Sequence, residues 1–383
     1  MRKKSYLTVT DQFCGAGGSS QGARSLSQKI GGGLEVKLAM NHWKLAIETH
    51  NTNFPDTEHD CADISASDPR RYQSTDILIT SPECTNHTIA KGVKRSYQQT
   101  NTLFGNLTID PAAERSRATM WDVPRFAEIH NYNLIITENV VDARSWIMWD
   151  AWILAMQRLG YEHHCCYFNS MFFPPTPQSR DRLYVVFWKK GNRKPDLDYR
   201  PKSFCECCDK EVNAIQSWKN SRKPYGKYKF QYVYRCPVCA NEILPYYYAS
   251  FNCIDWSKPG RKIGGRKKPL CANTMRRIKY ADEKYGDMAF VIHTDHSKIL
   301  DRSNSVLNPI VTQATRQVAG LVNPGMILEV NSSGKAKSTT ERISTITAGG
   351  VKHALVTPAY FVKNFSGDHN PIPISKPTHT ITG

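Results

Sequence analysis

Along the first half of the chain, hydrophobic residues gather in short unbroken runs, each closed by polar or glycine-rich punctuation. Tyr6 to Thr10 is β-branched and strand-like. It leads into the glycine turn Asp11-Gln12-Phe13-Cys14-Gly15-Ala16-Gly17-Gly18 and then a helix-compatible stretch. Leu34 to Met40 predicts a second strand, followed by a helix from about Leu45 to Asn51. Asp76-Ile77-Leu78-Ile79-Thr80, Asn133-Leu134-Ile135-Ile136-Thr137 and Leu183-Tyr184-Val185-Val186-Phe187-Trp188 are apolar runs of buried-strand type. Helical patterns separate them, including Trp149 to Leu159. Strands alternating with helices predict an α/β fold with a doubly wound, mostly parallel sheet.

After about residue 195 the pattern changes. Residues 196–250 hold two cysteine pairs, many Tyr and Lys, and little periodicity, and residues 261–278 are strongly basic. Asn273 to Ile278 predicts a short helix. Further on, Ile310-Val311-Thr312, Thr345-Ile346-Thr347 and Thr380-Ile381-Thr382 recur at intervals of 35 residues, as repeated strand-loop units would. The expected division is a first domain over 1–195 and a second, smaller region over 196–383.

The length of 383 residues fits such a two-part chain, and 40% hydrophobic residues suffice for a core. The net charge of +17 points to an anionic partner, most often nucleic acid. No apolar run is long enough to span a bilayer, so no membrane role is expected. Met1-Arg2-Lys3-Lys4 is basic but no apolar signal core follows it, which predicts a cytoplasmic protein. The 12 cysteines then read as thiols, metal ligands or a nucleophile rather than a disulfide framework.

The glycine turn after the first strand lets backbone approach a ligand closely, and ligands in open α/β sheets sit beyond the carboxyl ends of the strands. It lacks the strict dinucleotide spacing. The Asp11-x-Phe13 pair with Gly15, Gly17 and Gly18 fits an S-adenosylmethionine site better, since that ligand presents an adenosine and a sulfonium rather than a pyrophosphate. The second strand ends Asn41-His42-Trp43. Trp43 is placed to stack on adenine or to serve as an ordinary core aromatic. Asp63-Ile64 would bring a carboxylate near the adenine amino group; an exposed loop aspartate is the plainer alternative.

Cys84 follows the third run in Ser81-Pro82-Glu83-Cys84, at the carboxyl end of a central strand, where such folds do chemistry. Glu138-Asn139-Val140 ends the next strand, so Glu138 is expected beside Cys84 on one sheet edge. Gln178-Ser179-Arg180-Asp181-Arg182 precedes the following strand. A thiol, a carboxyl group and two arginines make a kit for attacking an electron-poor ring and handling its charge.

In this order the motifs resemble the cytosine-C5 DNA methyltransferases, over roughly residues 5–190. The stretch from Cys205 to Ile278, with Ile254-Asp255-Trp256-Ser257, is similar to a bacterial and phage branch of that family. The resemblance implies the S-adenosylmethionine-dependent methyltransferase type of sheet in 1–195 and a target-recognition region in 196–383. It implies double-stranded DNA as partner and a target cytosine flipped out of the duplex. Cys84 would attack C6, Glu138 would bind and protonate N3, and Arg182 with Arg180 would hold the base. Pro82 joins the glycine turn, His42, Trp43, Asp63 and Ile64 in the cofactor-binding set. Thr85 to about Arg117 would form the loop that closes over the DNA.

Some positions depart from the family. Glu83 and Thr85 stand where Pro and Gln flank the cysteine, with Pro82 one step earlier. A carboxylate pointing at the thiol would raise its pKa, so Glu83 is expected to point away or to pair with a base such as an Arg. His42 stands where an acid binds the ribose. The family's last motifs are not found before Gly383, so a second chain or further sequence is expected to carry them. An RNA cytosine methyltransferase of the same fold and a non-catalytic zinc-dependent DNA-binding relative are the alternatives.

Cys205-x-x-Cys208 and Cys236-x-x-Cys239 are two knuckles separated by 27 residues. Four thiolates in tetrahedral array suit a structural Zn2+. Cys207 reads as a bystander, and Cys165, Cys166, Cys253 and Cys271 as small hydrophobes. Between the knuckles, Trp218, Lys219, Arg222, Lys223, Tyr225, Lys227, Tyr228 and Lys229 mix basic and aromatic character, fitting phosphate contacts in target recognition.

Overall fold

The computed structural model describes residues 6–83, 100–101, 107–108, 119–255, 263, 267–286, 288–293, 300–311, 319–323, 326–329, 336–338, 353–356, 360–361 and 372–373. Cys84, nearly all of the 85–117 loop, Trp256, Ser257 and the second and third Thr-Ile-Thr units lie outside them. The chain divides into two compact units, 1–169 with 181–246, and 170–180 with 247–383.

The first unit is built on seven strands. In chain order these are β1 (Leu7–Gln12), β2 (Leu34–Met40), β3 (Glu58–Asp60), β4 (Ile77–Thr80), β5 (Leu134–Asn139), β6 (Tyr161–Asn169) and β7 (Asp181–Lys189). They lie in the order β3-β2-β1-β4-β5-β7-β6. The first five run parallel, and β7 is antiparallel to both β5 and β6. Helices α1 (Gly18–Lys29), α2 (Lys44–Asn53), α3 (Asp122–His130) and α4 (Trp149–Arg158) connect the strands. This is the doubly wound, mostly parallel sheet expected from the runs of apolar residues. Strands covered on both faces need continuous apolar sequence, and Leu78, Ile135, Leu183 and Phe187 are all fully buried.

The helices show why they lie where they do. Trp149, Trp152, Ile153 and Met156 bury one stripe of α4 at helical spacing. Helix α3 does the same with Val123, Phe126, Ala127 and His130, and stops at Asn131, whose left-handed backbone (φ 50°) ends it. Strand β6 had no apolar run to announce it. Its sequence Tyr-Glu-His-His-Cys-Cys-Tyr-Phe-Asn pairs along its whole length with β7 at the sheet edge, where one side tolerates polar residues.

Residues 201–246 belong to this first unit, although the change in sequence character falls near 195. They form two hairpins, β8 (Lys202–Cys205) with β9 (Lys210–Asn213), and β10 (Ile215–Trp218) with β11 (Tyr232–Arg235). Side-chain hydrogen bonds join them to the sheet: Gln216 Nε2 donates to the Tyr167 carbonyl (2.8 Å), and the Tyr228 N–H donates to Asp181 Oδ1 (2.9 Å).

In the second unit, α5 (Ala272–Tyr285) extends the short helix expected at 273–278. Its Ile278 and Ala281 pack on Phe290 and Ile292 of a three-stranded sheet. Ile310-Val311, the first of the repeated units, pairs in parallel with Gln178-Ser179. Among the described residues no helix is long and apolar enough to cross a membrane.

Candidate functional site

The order of strands reverses between β1 and β4, the switch point at which α/β sheets bind ligands. The carboxyl ends of β1, β2 and β4 and the segment after β3 carry the candidate cofactor residues, and the end of β5 carries Glu138. Phe13 (φ 57°), Gly15 (φ 54°) and Gly17 (φ 102°) are left-handed and fold the chain back sharply before α1. Open space lies over Gly15 and Gly18, while a side chain at Gly17 would run into the Phe54 ring.

A buried polar chain holds this turn from behind. Asp11 accepts hydrogen bonds from the hydroxyls of Ser19 and Ser20, both at 2.6 Å. Because Ser20 donates to Asp11, its oxygen is left to accept from His50 Nε2 (3.0 Å). A neutral His50 then accepts at Nδ1 from His59 Nε2 (2.8 Å). Burial pushes Asp11 up from 3.8 to about 6 and His50 down from 6.5 to about 4, the latter aided by neighbouring His59.

These shifts act in opposite senses. The unfolded chain protonates His50 below pH 6.5 while the folded protein resists until about pH 4, so His50's contribution is lost as pH falls through that window. Folded Asp11 keeps a proton the unfolded chain releases, so stability from this group falls as pH rises from 3.8 to 6. Replacing His50 with Gln removes the first effect and leaves the second. Relative to wild type, the variant should gain ~3 kcal/mol between pH 6.5 and pH 4. Urea midpoints at the two pH values measure this; a pH-independent difference would refute it.

His42 is exposed, and its Nδ1 lies 3.6 Å from Glu83 Oε1. Glu83 thus pairs with a base, as expected, and that base is a histidine. Trp43 is 58% exposed and opens α2, so it is not a core aromatic. Its N–H donates to Asn41 Oδ1 (2.9 Å). Asp63 is exposed and caps a short turn by accepting from the Ser65 N–H (3.0 Å), while Ile64 is buried. Arg125 of α3 braces this turn: it donates to the carbonyls of Ile64 and Ser67 and to Asp122 Oδ1. Nothing in the sequence marked Arg125 or His50, because each acts across more than thirty residues of chain or through a buried serine.

Glu138 and Arg182 are brought together. The β5–β7 register sets Glu138 opposite Tyr184, so Arg182 lies on the diagonal of the same face. Arg182 Nε is 2.7 Å from Glu138 Oε1, both side chains being largely buried. Arg180 lies in the second unit, where its carbonyl accepts from the Ser170 N–H (3.0 Å). The backbone leading to Cys84 is fixed. Ser81 N–H donates to the Gln12 carbonyl (3.3 Å), and the Asn139 amide donates to the carbonyl of buried Pro82 (3.4 Å). Cys14, inside the glycine turn, is pushed up to about 12 by burial and by Asp11, so it stays a thiol and is no rival nucleophile.

Cys205, Cys208, Cys236 and Cys239 place their sulfurs within 4.8 Å of one another, and Cys207 is exposed outside the group. Cys205 and Cys239 are 3.5 Å apart, Cys208 and Cys236 3.8 Å. A tetrahedral metal with sulfur ligands at about 2.3 Å sets its ligands about 3.8 Å apart; a disulfide needs about 2.05 Å. Asp209 (φ 49°) and Ala240 (φ 61°), each directly after a knuckle, are left-handed, and the Val238 N–H donates to Cys236 Sγ (3.4 Å). The N–H groups of Cys239 and Val238 bring Cys236 down to about 6. Cys253 and Cys271 are exposed, contrary to their reading as small hydrophobes, whereas Cys166 is buried.

A model of the family described as C-5 cytosine-specific DNA methylase matches residues 7–236. Among solved structures the chain is similar to a Dnmt2 methyltransferase of S. pombe, at 18% identity over 51% of this chain and 53% of that one (TM-score 0.38). It is similar to a DNMT2 mutant of Spodoptera frugiperda at 17%, over 50% and 52% (TM-score 0.37). A DNA modification methyltransferase encoded within an E. coli prophage matches at 17%, over 80% and 82% (TM-score 0.41). The chain spans about half the length of the first two. No curated protein matches.

Proposed function

The chain belongs to the C-5 cytosine-specific DNA methylases, and from that premise we propose that it methylates C5 of cytosine in double-stranded DNA through a covalent bond from Cys84 to C6 of a flipped base. The observation that carries this reading is the Glu138–Arg182 pair at the end of β5, beside the strand end that leads to Cys84.

The residues divide the work as follows. The Cys84 thiolate adds to C6 while Glu138 supplies the proton that neutralises N3, so that C5 becomes electron-rich. Arg182 holds Glu138 in place, and Asn139 holds the Pro82 carbonyl and with it the approach to Cys84. S-adenosylmethionine supplies the methyl group. A base then takes the C5 proton and Glu138 takes back the N3 proton, so that the ring double bonds re-form and Cys84 leaves as thiolate. Phe13, Gly15, Gly17, Gly18, Trp43, Asp63, Ile64 and Pro82 would hold the cofactor; the open space over Gly15 and Gly18 and the exposed face of Trp43 fit an adenosine. His42 can hydrogen-bond a ribose hydroxyl as a neutral group.

Duplex DNA carrying 5-fluorocytosine, incubated with the protein and S-adenosylmethionine, tests the proposal: the fluorine blocks the last step and leaves the protein covalently attached. No adduct on DNA, or an adduct on RNA alone, would overturn it.

We further propose that the four cysteines hold a structural Zn2+, on the ground of their sulfur spacing. Metal analysis of protein purified without chelator should return about one zinc per chain. Cys208→Ser should release it and lower the melting temperature by several degrees, whereas Cys207→Ser should do neither. A zinc-free wild type of equal stability would refute the assignment.

A further inference from the structure

The turn that follows Glu138-Asn139-Val140 faces the basic loop between the two cysteine knuckles, and between them lies a cleft of about 650 Å³. It is lined by Asp142 on one side and by Lys219, Lys223, Tyr225, Lys227 and Phe230 on the other, together with smaller neighbours. Three ammonium groups thus share a concave surface with one carboxylate. Such a surface concentrates field and draws anions.

The lysines are not equivalent. Lys227 is half-buried and lies 3.1 Å from Asp142 Oδ2. Lys219 Nζ donates to the Lys229 carbonyl (2.6 Å), which arches the loop. Lys223 is exposed and meets no carboxylate among the described residues.

Phe230 is 74% exposed, although Tyr228 and Tyr232 on either side of it are buried in an aromatic cluster with Tyr234. The left-handed turn at Lys229 (φ 64°) rotates it outward. The loop is not a loosely solvated one. A side chain at Gly226 (φ 144°) would collide with Gln231, whose Oε1 accepts from the Lys227 N–H (2.8 Å).

Its fastenings lead to the candidate catalytic pair. Tyr228 N–H holds Asp181, the residue before Arg182. Lys227 holds Asp142, two residues after Val140 at the end of the Glu138 strand.

We propose that this cleft seats the DNA strand beside the target cytosine, with its phosphates on Lys219, Lys223 and Lys227 and one base stacked on Phe230. The inference rests on the methyl-transfer reading above. Lysines on a groove neutralise phosphates and release counterions, and an exposed ring offers a stacking face that any base can use. A phosphate reaching Lys227 competes directly with Asp142, so occupancy of the cleft is communicated to the chain segment that carries Glu138.

The test uses the full zinc-loaded chain and a short DNA duplex, with affinity read by fluorescence anisotropy between about 50 and 200 mM salt. Lys223→Glu should weaken binding about tenfold and lower the slope of log affinity against log salt by about one. Phe230→Ala should weaken binding about fivefold or more and leave the slope unchanged. Both side chains are exposed, so neither change should disturb folding. With saturating DNA, both variants should still form the 5-fluorocytosine adduct.

Wild-type affinity and slope in Lys223→Glu would overturn the seat. So would an RNA of the same sequence that binds as tightly and loses as much on Lys223→Glu. If adducts form while Lys223→Glu is silent, the seat falls and the chemistry stands. If no protein forms an adduct but the Lys223→Glu loss persists, the methyl-transfer reading falls and the cleft remains a nucleic-acid site.

Discussion

Cys84→Ser should abolish capture of 5-fluorocytosine DNA and lower methyl transfer by at least about 10³-fold, with duplex affinity nearly unchanged. A serine hydroxyl is a far weaker nucleophile than a thiolate near neutral pH, so the loss should fall on the chemical step alone. The rest of the approach stays intact: Ser81 remains tied to the Gln12 carbonyl and Pro82 to the Asn139 amide. The competing thiols are poor candidates for rescue, since burial holds Cys14 near 12 and Cys165 near 11. Single-turnover transfer of a labelled methyl group, followed by denaturing electrophoresis of the trapped complex, separates chemistry from binding. An adduct surviving in Cys84→Ser would move the nucleophile elsewhere and overturn the proposed mechanism.

The second large effect is expected at Arg182. Arg182→Met should reduce the single-turnover rate by ~10²–10⁴-fold, in the range lost when a group acting in proton transfer is misplaced. The variant removes the 2.7 Å contact that fixes Glu138 and leaves a largely buried carboxylate without its cation. Arg182→Lys should restore little, because the contact is made through Nε of a planar fork that an ammonium cannot reproduce. A structural role alone would lower stability without slowing the folded enzyme at saturating DNA, so a wild-type single-turnover rate in folded Arg182→Met would reject the positioning role. Glu138→Gln should show a comparable rate loss, since its amide cannot supply the proton at N3.

How the sheet would be wound was legible from the chain alone. Strands in the middle of such a sheet are covered and so mostly apolar, and β4 and β5 announced themselves within a residue or two of their ends. Ligands of such sheets sit at the carboxyl ends of the strands, so the residues just after those runs became the candidates. The cysteine knuckles were legible too, because a tetrahedral cluster constrains spacing within each pair. Their sulfurs do lie together.

Tertiary structure decided what local pattern cannot carry. Strand β6 lies at an edge, where burial on one side leaves no apolar signature, and only its pairing with β7 makes it a strand. The insertion of β7 between β5 and β6, antiparallel to both, sets Arg182 diagonally across from Glu138. Residues 44 apart meet through that register, which no spacing rule encodes. Within the first unit the cysteine-bearing stretch is tied to the sheet and its turns through Asp181, Asp142 and the Tyr167 carbonyl, single contacts invisible to composition. The Asp11–Ser20–His50–His59 chain joins four segments that meet only once the helices are docked. Periodicity records which face of an element is buried; it does not record which distant polar group waits there, and at this site those groups hold the glycine turn and Glu138 in place.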